Sequence, residues 1–296
     1  MLSKLFVKES SEIAFNFDGV HVKKIFLWLA SSALALFSGS SFAIFQNGGF
    51  ESGDFTAWTT GAGVNNGLTG SQPYTSSSVS LGTSSNFRSA VVAGGPDLVG
   101  APIALPRTGT RTARVNNSAT GGIANFISQA DVITVADRDA ADAKLHVRFS
   151  YAVVLENPSH NPNEQPFFFI RVRNLTKNTM LFEQFSFAGQ TGNQFTNLAP
   201  TNRYQYLDWK NADVIVPDAD LGDTIQVYLL ASDCSPTGHL GYAYLDGFGS
   251  AVVTPPGPVI PAGPPIGVPT LGEWSLMLLA GLLAIGALWV GSRRRA

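Results

Sequence analysis

The chain has 296 residues and a formal net charge of −2; 45% of its residues are hydrophobic, 14% are charged, and it holds one cysteine and four histidines. This balance excludes a basic nucleic-acid-binding protein, and a single cysteine excludes an intrachain disulfide framework or a Cys-cluster zinc site. The length admits one large domain or two small ones.

Residues 1–43 read as an N-terminal extension and a secretory signal. Lys23 and Lys24 form a basic start, residues 25–37 an apolar run, and Ser41-Phe42-Ala43 a small-x-small cleavage site. Signal peptidase is expected to cut after Ala43. The apolar run is short for a membrane span. The polar prefix, with Glu9, Glu12 and Asp18, is accounted for if translation starts at Val22.

Residues 44–253 show the period-2 alternation of strands rather than helical periodicity. Leu145, Val147, Phe149, Tyr151 and Val153 alternate with His146, Arg148, Ser150 and Ala152. Phe168, Ile170 and Val172 form a second such run, and Ile225, Val227 and Leu229 a third. Each is bounded by Pro, Gly, Asn or Asp turn residues. Residues 111–115 and 124–132 read as further strands, and residues 136–144 have mild helical character. Residues 61–95 are rich in Gly, Ser, Thr and Asn, as befits either a long loop or a pair of weak strands. The pattern predicts an all-β, jelly-roll-like antiparallel sandwich.

Two stretches of this body carry a resemblance. Asn47-Gly48-Gly49-Phe50-Glu51-Ser52-Gly53-Asp54-Phe55-Thr56-Ala57-Trp58 near its start and Gly241-Tyr242-Ala243-Tyr244-Leu245-Asp246-Gly247-Phe248 near its end resemble the first and last strands of galactose-binding-like jelly rolls, which include many carbohydrate-binding modules. The resemblance implies a structural Ca²⁺ held by Glu51 and Asp246, with Asn47, Gly49 and Asp54 near enough to add oxygens. In the alternative arrangement these acids cap strand ends and bond backbone amides. Trp58 and Trp209 are candidate stacking platforms for a sugar ring, although in the resembled modules the early Trp is more often a core residue.

Two loops hold chemistry-bearing residues. Glu156, His160 and Glu164 lie in a proline-stiffened connection that is a candidate metal or ligand loop. Asp233, Cys234 and His239 place a thiol five residues from an imidazole, either as a nucleophile pair or as an inert buried thiol. No GxSxG, HExxH or phosphate-cradling motif occurs.

Residues 254–267 form a Pro-rich linker that favours extended polyproline II. Residues 268–296 then run in a fixed order: Val268-Pro269-Thr270-Leu271, Trp274, an uncharged stretch over residues 275–291, and Arg293, Arg294 and Arg295. The 17 uncharged residues make about 25 Å of helix, enough for a thin bilayer. The positive-inside rule places the arginines in the cytoplasm and the body across the membrane. This tail resembles the IPTL-CTERM sorting signal of Gram-negative bacteria, with Val268 in place of the usual Ile. The resemblance implies an exported, inner-membrane-anchored precursor, processed by an exosortase-type enzyme and delivered to the cell surface or beyond.

Three functions follow as expectations. The first is a non-enzymatic structural or binding protein of the cell surface, associated with biofilm or polysaccharide. The second is a module recognising a glycan directly. The third, from another class, is a hydrolase with a site in the 156–164 or 233–246 loops.

Overall fold

A computed structural model describes residues 45–249. The signal peptide with Ala43, the Pro-rich linker, the predicted span and the sorting-motif residues lie outside them. Among the described residues no helix is long and apolar enough to cross a membrane.

Twelve strands make two six-stranded antiparallel sheets. In chain order they are β1 (Thr59–Leu68), β2 (Val79–Ser84), β3 (Ala90–Ala93), β4 (Arg111–Val115), β5 (Ile123–Val132), β6 (Leu145–Glu156), β7 (Phe167–Asn174), β8 (Thr179–Phe187), β9 (Thr196–Asn197), β10 (Tyr204–Val216), β11 (Thr224–Ser232) and β12 (Gly241–Gly249). The first sheet runs β2-β1-β5-β11-β7-β8 and the second β3-β4-β12-β6-β10-β9. The fold is therefore the all-β sandwich that the alternation predicts. Residues 61–95 supply strands β1, β2 and β3, joined by loops. The stretch with helical character yields only a 3-10 turn at Val135–Asp137.

The inner faces of both sheets meet in one apolar core. Leu145, Val147, Phe149, Tyr151, Val153 and Leu155 of β6 face Phe168, Ile170 and Val172 of β7 and Ile225, Val227 and Leu229 of β11. Alternation sends every second residue inward, so the three runs seen in the sequence all enter the core, joined there by residues of β4, β10 and β12. Yet all twelve residues of β6 are buried. Its other face is covered by the connection between β3 and β4, where Ala101 and Ile103 pack on Ala152, Val154, Tyr242 and Tyr244. Asp97 pins that cover. It accepts both tyrosine hydroxyls, at 2.8–2.9 Å, and the amides of Val99 and Ala101. Burial and the neighbouring Asp97 charge raise both tyrosine pKa values.

The outer face of the first sheet carries a ladder of rings. Phe126, Tyr228, Phe169 and Phe185 stack in turn across β5, β11, β7 and β8 at 8–18° between planes. Arg171 lies over Tyr228 at 5.0 Å and donates to Ser76, so the β1–β2 connection reaches across this face.

Residues 45–58 form turns and not a first strand. Asn47, Phe50 and Ala57 have φ of 51°, 58° and 71°, a left-handed backbone that breaks extended structure. The turns press Phe45, Phe50 and Trp58 onto Phe248 at one end of the core. Gly48 makes the closest approach: a Cβ there would sit 1.7 Å from the Phe248 carbonyl oxygen. The amide of Phe248 in turn donates to Gly48 O.

Candidate functional site

The structure sorts the candidate residues into three places. Glu51 and Asp246 both grip the segment 107–111 that leads into β4. Glu51 accepts from the amides of Thr110 and Arg111 and from the Thr110 hydroxyl. Asp246, fully buried, accepts from the amides of Arg107 and Thr108 and from the Thr108 hydroxyl. Burial raises the Asp246 pKa against those donors. Gly109 turns between the two acids at φ +61°, where a Cβ would meet the Glu51 carboxylate. Both acids therefore take up the capping arrangement that the sequence allows. Asn47 and Asp54 work inside their own turn: Asn47 Nδ2 donates to Asp54 O and Thr56 O, and Asp54 accepts from Ser52 Oγ and Thr56 N.

Trp58 is 8% exposed, and its indole N–H donates to Asn47 O. Burial closes it to a sugar ring, so its role is in the core. Trp209 is half-buried on the outer face of the second sheet. It packs on Tyr244 and donates to Ala104 O at 2.7 Å.

The third place is the end of β6. Here the 157–166 loop and the β11–β12 turn meet through the Ser235 amide, which donates to Glu164 O. His160 Nε2 lies 3.2 Å from His239 Nδ1, and Cys234 Sγ lies 3.5 Å from the same nitrogen. Glu156 is buried behind them, with Oε1 4.0 Å from His239 Nε2 and 2.6 Å from Arg203 Nε. Burial raises the Cys234 thiol pKa, although the amides of His239, Gly238 and Thr237 pull it down. Asp233 anchors the turn from below. It binds Asn116, the amides of Ile123 and Gly241, and Arg88 at 3.1 Å. Burial pushes its carboxyl up to about 7 against those partners. The sequence offered the Cys234–His239 spacing; it gave no sign that His160, 79 residues away from His239, completes the group.

The fourth place was not foreseen. A cleft of about 350 Å³ opens between the sheet edges, where β8 faces β10. Its walls carry the side-chain amides of Gln184, Gln190, Asn193 and Gln194, with Lys210 and the rings of Tyr151 and Phe195, and no carboxylate. Asn193 Nδ2 is buried there without a hydrogen-bond partner. Scattered amides have no sequence period, so only the fold gathers them. A shallower hollow of about 400 Å³ lies on the outer face, between Pro73, Tyr74 and the end of β8.

At the start of β6 a further group of ionisable residues closes on itself. His146 contacts Asp213 through Nδ1 and Asp142 through Nε2, and Arg148 bridges Asp139 and Asp213 at 2.6 and 3.0 Å.

No curated protein matches the chain. Similar solved structures include a carbohydrate-binding module of the β-sandwich superfamily (13% identity, 68% of this chain and 59% of that chain, TM-score 0.29). Others are the K3 cleaved adhesin domain of Lys-gingipain from Porphyromonas gingivalis W83 (13%, 70% and 97%, 0.28) and a xylan-binding domain of carbohydrate-binding-module family 22 (14%, 72% and 96%, 0.29). The chain thus spans 59% of the length of the first of these. Residues 266–296 match the IPTL-CTERM motif, so the chain carries at its C-terminal end the sorting signal of an exported protein.

Proposed function

We propose that this chain is an exported, exosortase-processed binding protein of the cell surface, and that its sandwich holds a neutral glycan in the cleft between β8 and β10. The observation that carries this reading is the cleft lining. A sugar hydroxyl both donates and accepts, and each primary amide offers a carbonyl oxygen beside two N–H donors. Rings among the amides supply apolar area, as small-ligand pockets require, and 350 Å³ falls within the range of such pockets. The unpartnered Asn193 Nδ2 is a donor that a hydroxyl would satisfy. A lining without carboxylates supports binding over glycoside hydrolysis, which uses two of them.

The test is affinity electrophoresis of the full chain, in detergent, through gels cast with neutral polysaccharides. Retardation in at least one gel is expected, and the double variant Asn193→Ala, Gln184→Ala should lose it. Migration unchanged in every gel, or unchanged by the variant, overturns the reading. Sorting is tested separately. Mass spectrometry of mature surface material should find no peptide beyond about Trp274, and intact recovery of the C-terminal arginines would refute processing.

Calcium at Glu51 and Asp246 is a separate proposal. A carboxylate has about four acceptor sites, and the protein uses three on each acid. Thermal unfolding with calcium and with chelator decides it: a midpoint raised by calcium supports the ion, and an unchanged midpoint rejects it.

A further inference from the structure

The end of β6 carries the second inference, which is independent of the glycan cleft. Three ligand atoms of metal-binding type, His160 Nε2, His239 Nδ1 and Cys234 Sγ, all lie within 4.8 Å of one another. Two of the separations can be set against metal geometry, the third, His160 Nε2 to Cys234 Sγ, being within 4.8 Å. Zinc bonds of about 2.05 Å to nitrogen and 2.3 Å to sulfur, set at tetrahedral angles, place two nitrogens about 3.3 Å apart and nitrogen and sulfur about 3.6 Å apart. The structure has 3.2 Å and 3.5 Å. We propose that His160, Cys234 and His239 bind a borderline-soft divalent transition-metal ion, zinc in class, with a fourth position left to solvent or another ligand.

Hydrogen bonding alone serves this group badly. His160 and Cys234 both converge on one atom, Nδ1 of His239. If that nitrogen is unprotonated, two donors compete for a single lone pair. If it is protonated, it can donate well to only one of its two neighbours. A cation between the three atoms engages all of them at once.

The surroundings suit such an ion. Glu156 Oε1 stands 4.0 Å from Nε2 of His239, a carboxylate on the side of the imidazole away from Nδ1, where metal-binding histidines commonly have one. The scaffold is fixed beforehand. Cys234 N donates to His239 O, closing the turn that bears both residues. Gln165 Nε2 donates to His160 O, and Ser235 N to Glu164 O, which hold the opposite loop against it. A thiolate and two imidazoles select against calcium and magnesium, which take oxygen ligands.

The experiment uses the full chain in detergent, stripped with chelator and dialysed against Zn²⁺ or Co²⁺. Expected are one zinc per chain by elemental analysis and, with cobalt, visible bands of a tetrahedral ion and a near-ultraviolet thiolate-to-cobalt band. Cys234→Ser should abolish the thiolate band. His160→Ala, on a partly exposed loop and so the safer variant for folding, should weaken zinc binding at least tenfold while leaving the circular dichroism spectrum unchanged. Substoichiometric zinc in the folded wild type, or equal uptake by folded His160→Ala, overturns the proposal. So does cobalt bound without a thiolate band.

Discussion

At the start of β6, His146 and Arg148 meet Asp139, Asp142 and Asp213; at its end, Glu156 stands behind His239, His160 and Cys234. Eleven residue steps, about 36 Å, separate them. Both ends gather three groups able to ligate a metal. At the first end the protein supplies its own cation. The Arg148 guanidinium touches two of the carboxylates, and its charge answers theirs. At the second end the guanidinium of Arg203 goes to Glu156 and that of Arg88 to Asp233, and the soft nitrogen and sulfur atoms face one another. The two ends differ in ligand type and in whether a fixed cation already lies among the ligands.

The largest effect belongs to the second end. Asp233→Ala removes the buried partner of Arg88 and frees the donors of Asn116, Ile123 and Gly241. Breaking a buried pair in this way costs about 3–5 kcal/mol, and urea unfolding should show it. A change below about 1 kcal/mol would mean that the β11–β12 turn is held by its backbone alone. Next comes Arg148→Met. The Asp213 side chain is half exposed and solvent screens that pair, whereas Asp139 is only 16% exposed, so the expected loss lies between that of a surface pair and that of a buried one, below the loss for Asp233→Ala. The same variant should gain weak binding of divalent cations, read by Mn²⁺ titration, because it opens Asp139, Asp142 and His146. If no binding appears, the filled-site explanation fails.

Acid sharpens the contrast further. Burial raises the Asp213 pKa, but hydrogen bonds from His146 and Arg148 outweigh it, and the net shift is downward. Asp139 is lowered by the Ala141 amide and then by Arg148, and Asp142 chiefly by the Lys144 amide. A carboxylate with a lowered folded pKa contributes stability above its unfolded value, about 3.9, and loses it as pH falls through the folded value. The gap in thermal midpoint between wild type and Asp213→Asn should therefore be full above pH 5 and close toward pH 2. A gap that widens in acid would reverse the assignment. The smallest effect is Lys144→Ala: its 4.0 Å pair with Asp142 is largely exposed, and no resolvable change in thermal midpoint is expected.

The apolar half of β6 was legible in the sequence because alternation is a local property. Leu145, Val147 and Phe149 announce an inward face whatever lies opposite. The other face was misleading. His146 and Arg148 read as solvent-facing, yet they are buried among acids from distant loops, and Ala152 hides under a cover that begins near Asp97. The resemblance at residues 47–58 suggested a strand; left-handed turns at Asn47, Phe50 and Ala57 make it a plug instead. The Cys234–His239 spacing was visible because a single turn sets it. His160 reaches them only through the pairing of loops, and the cleft amides meet only through the closing of two sheets. Neither has a periodic trace.

The place of β12 in its sheet has a consequence for how the chain reaches this form. The last strand of the body lies between β4 and β6, and its Phe248 closes against Phe45 and Trp58 from the opening residues. Until the final strand emerges from a ribosome or a translocation channel, β4 and β6 have no shared neighbour and one end of the core stays open. Pairings this distant in sequence form slowly. A chain threaded from its N-terminus therefore has no complete core until nearly all of the body has been released.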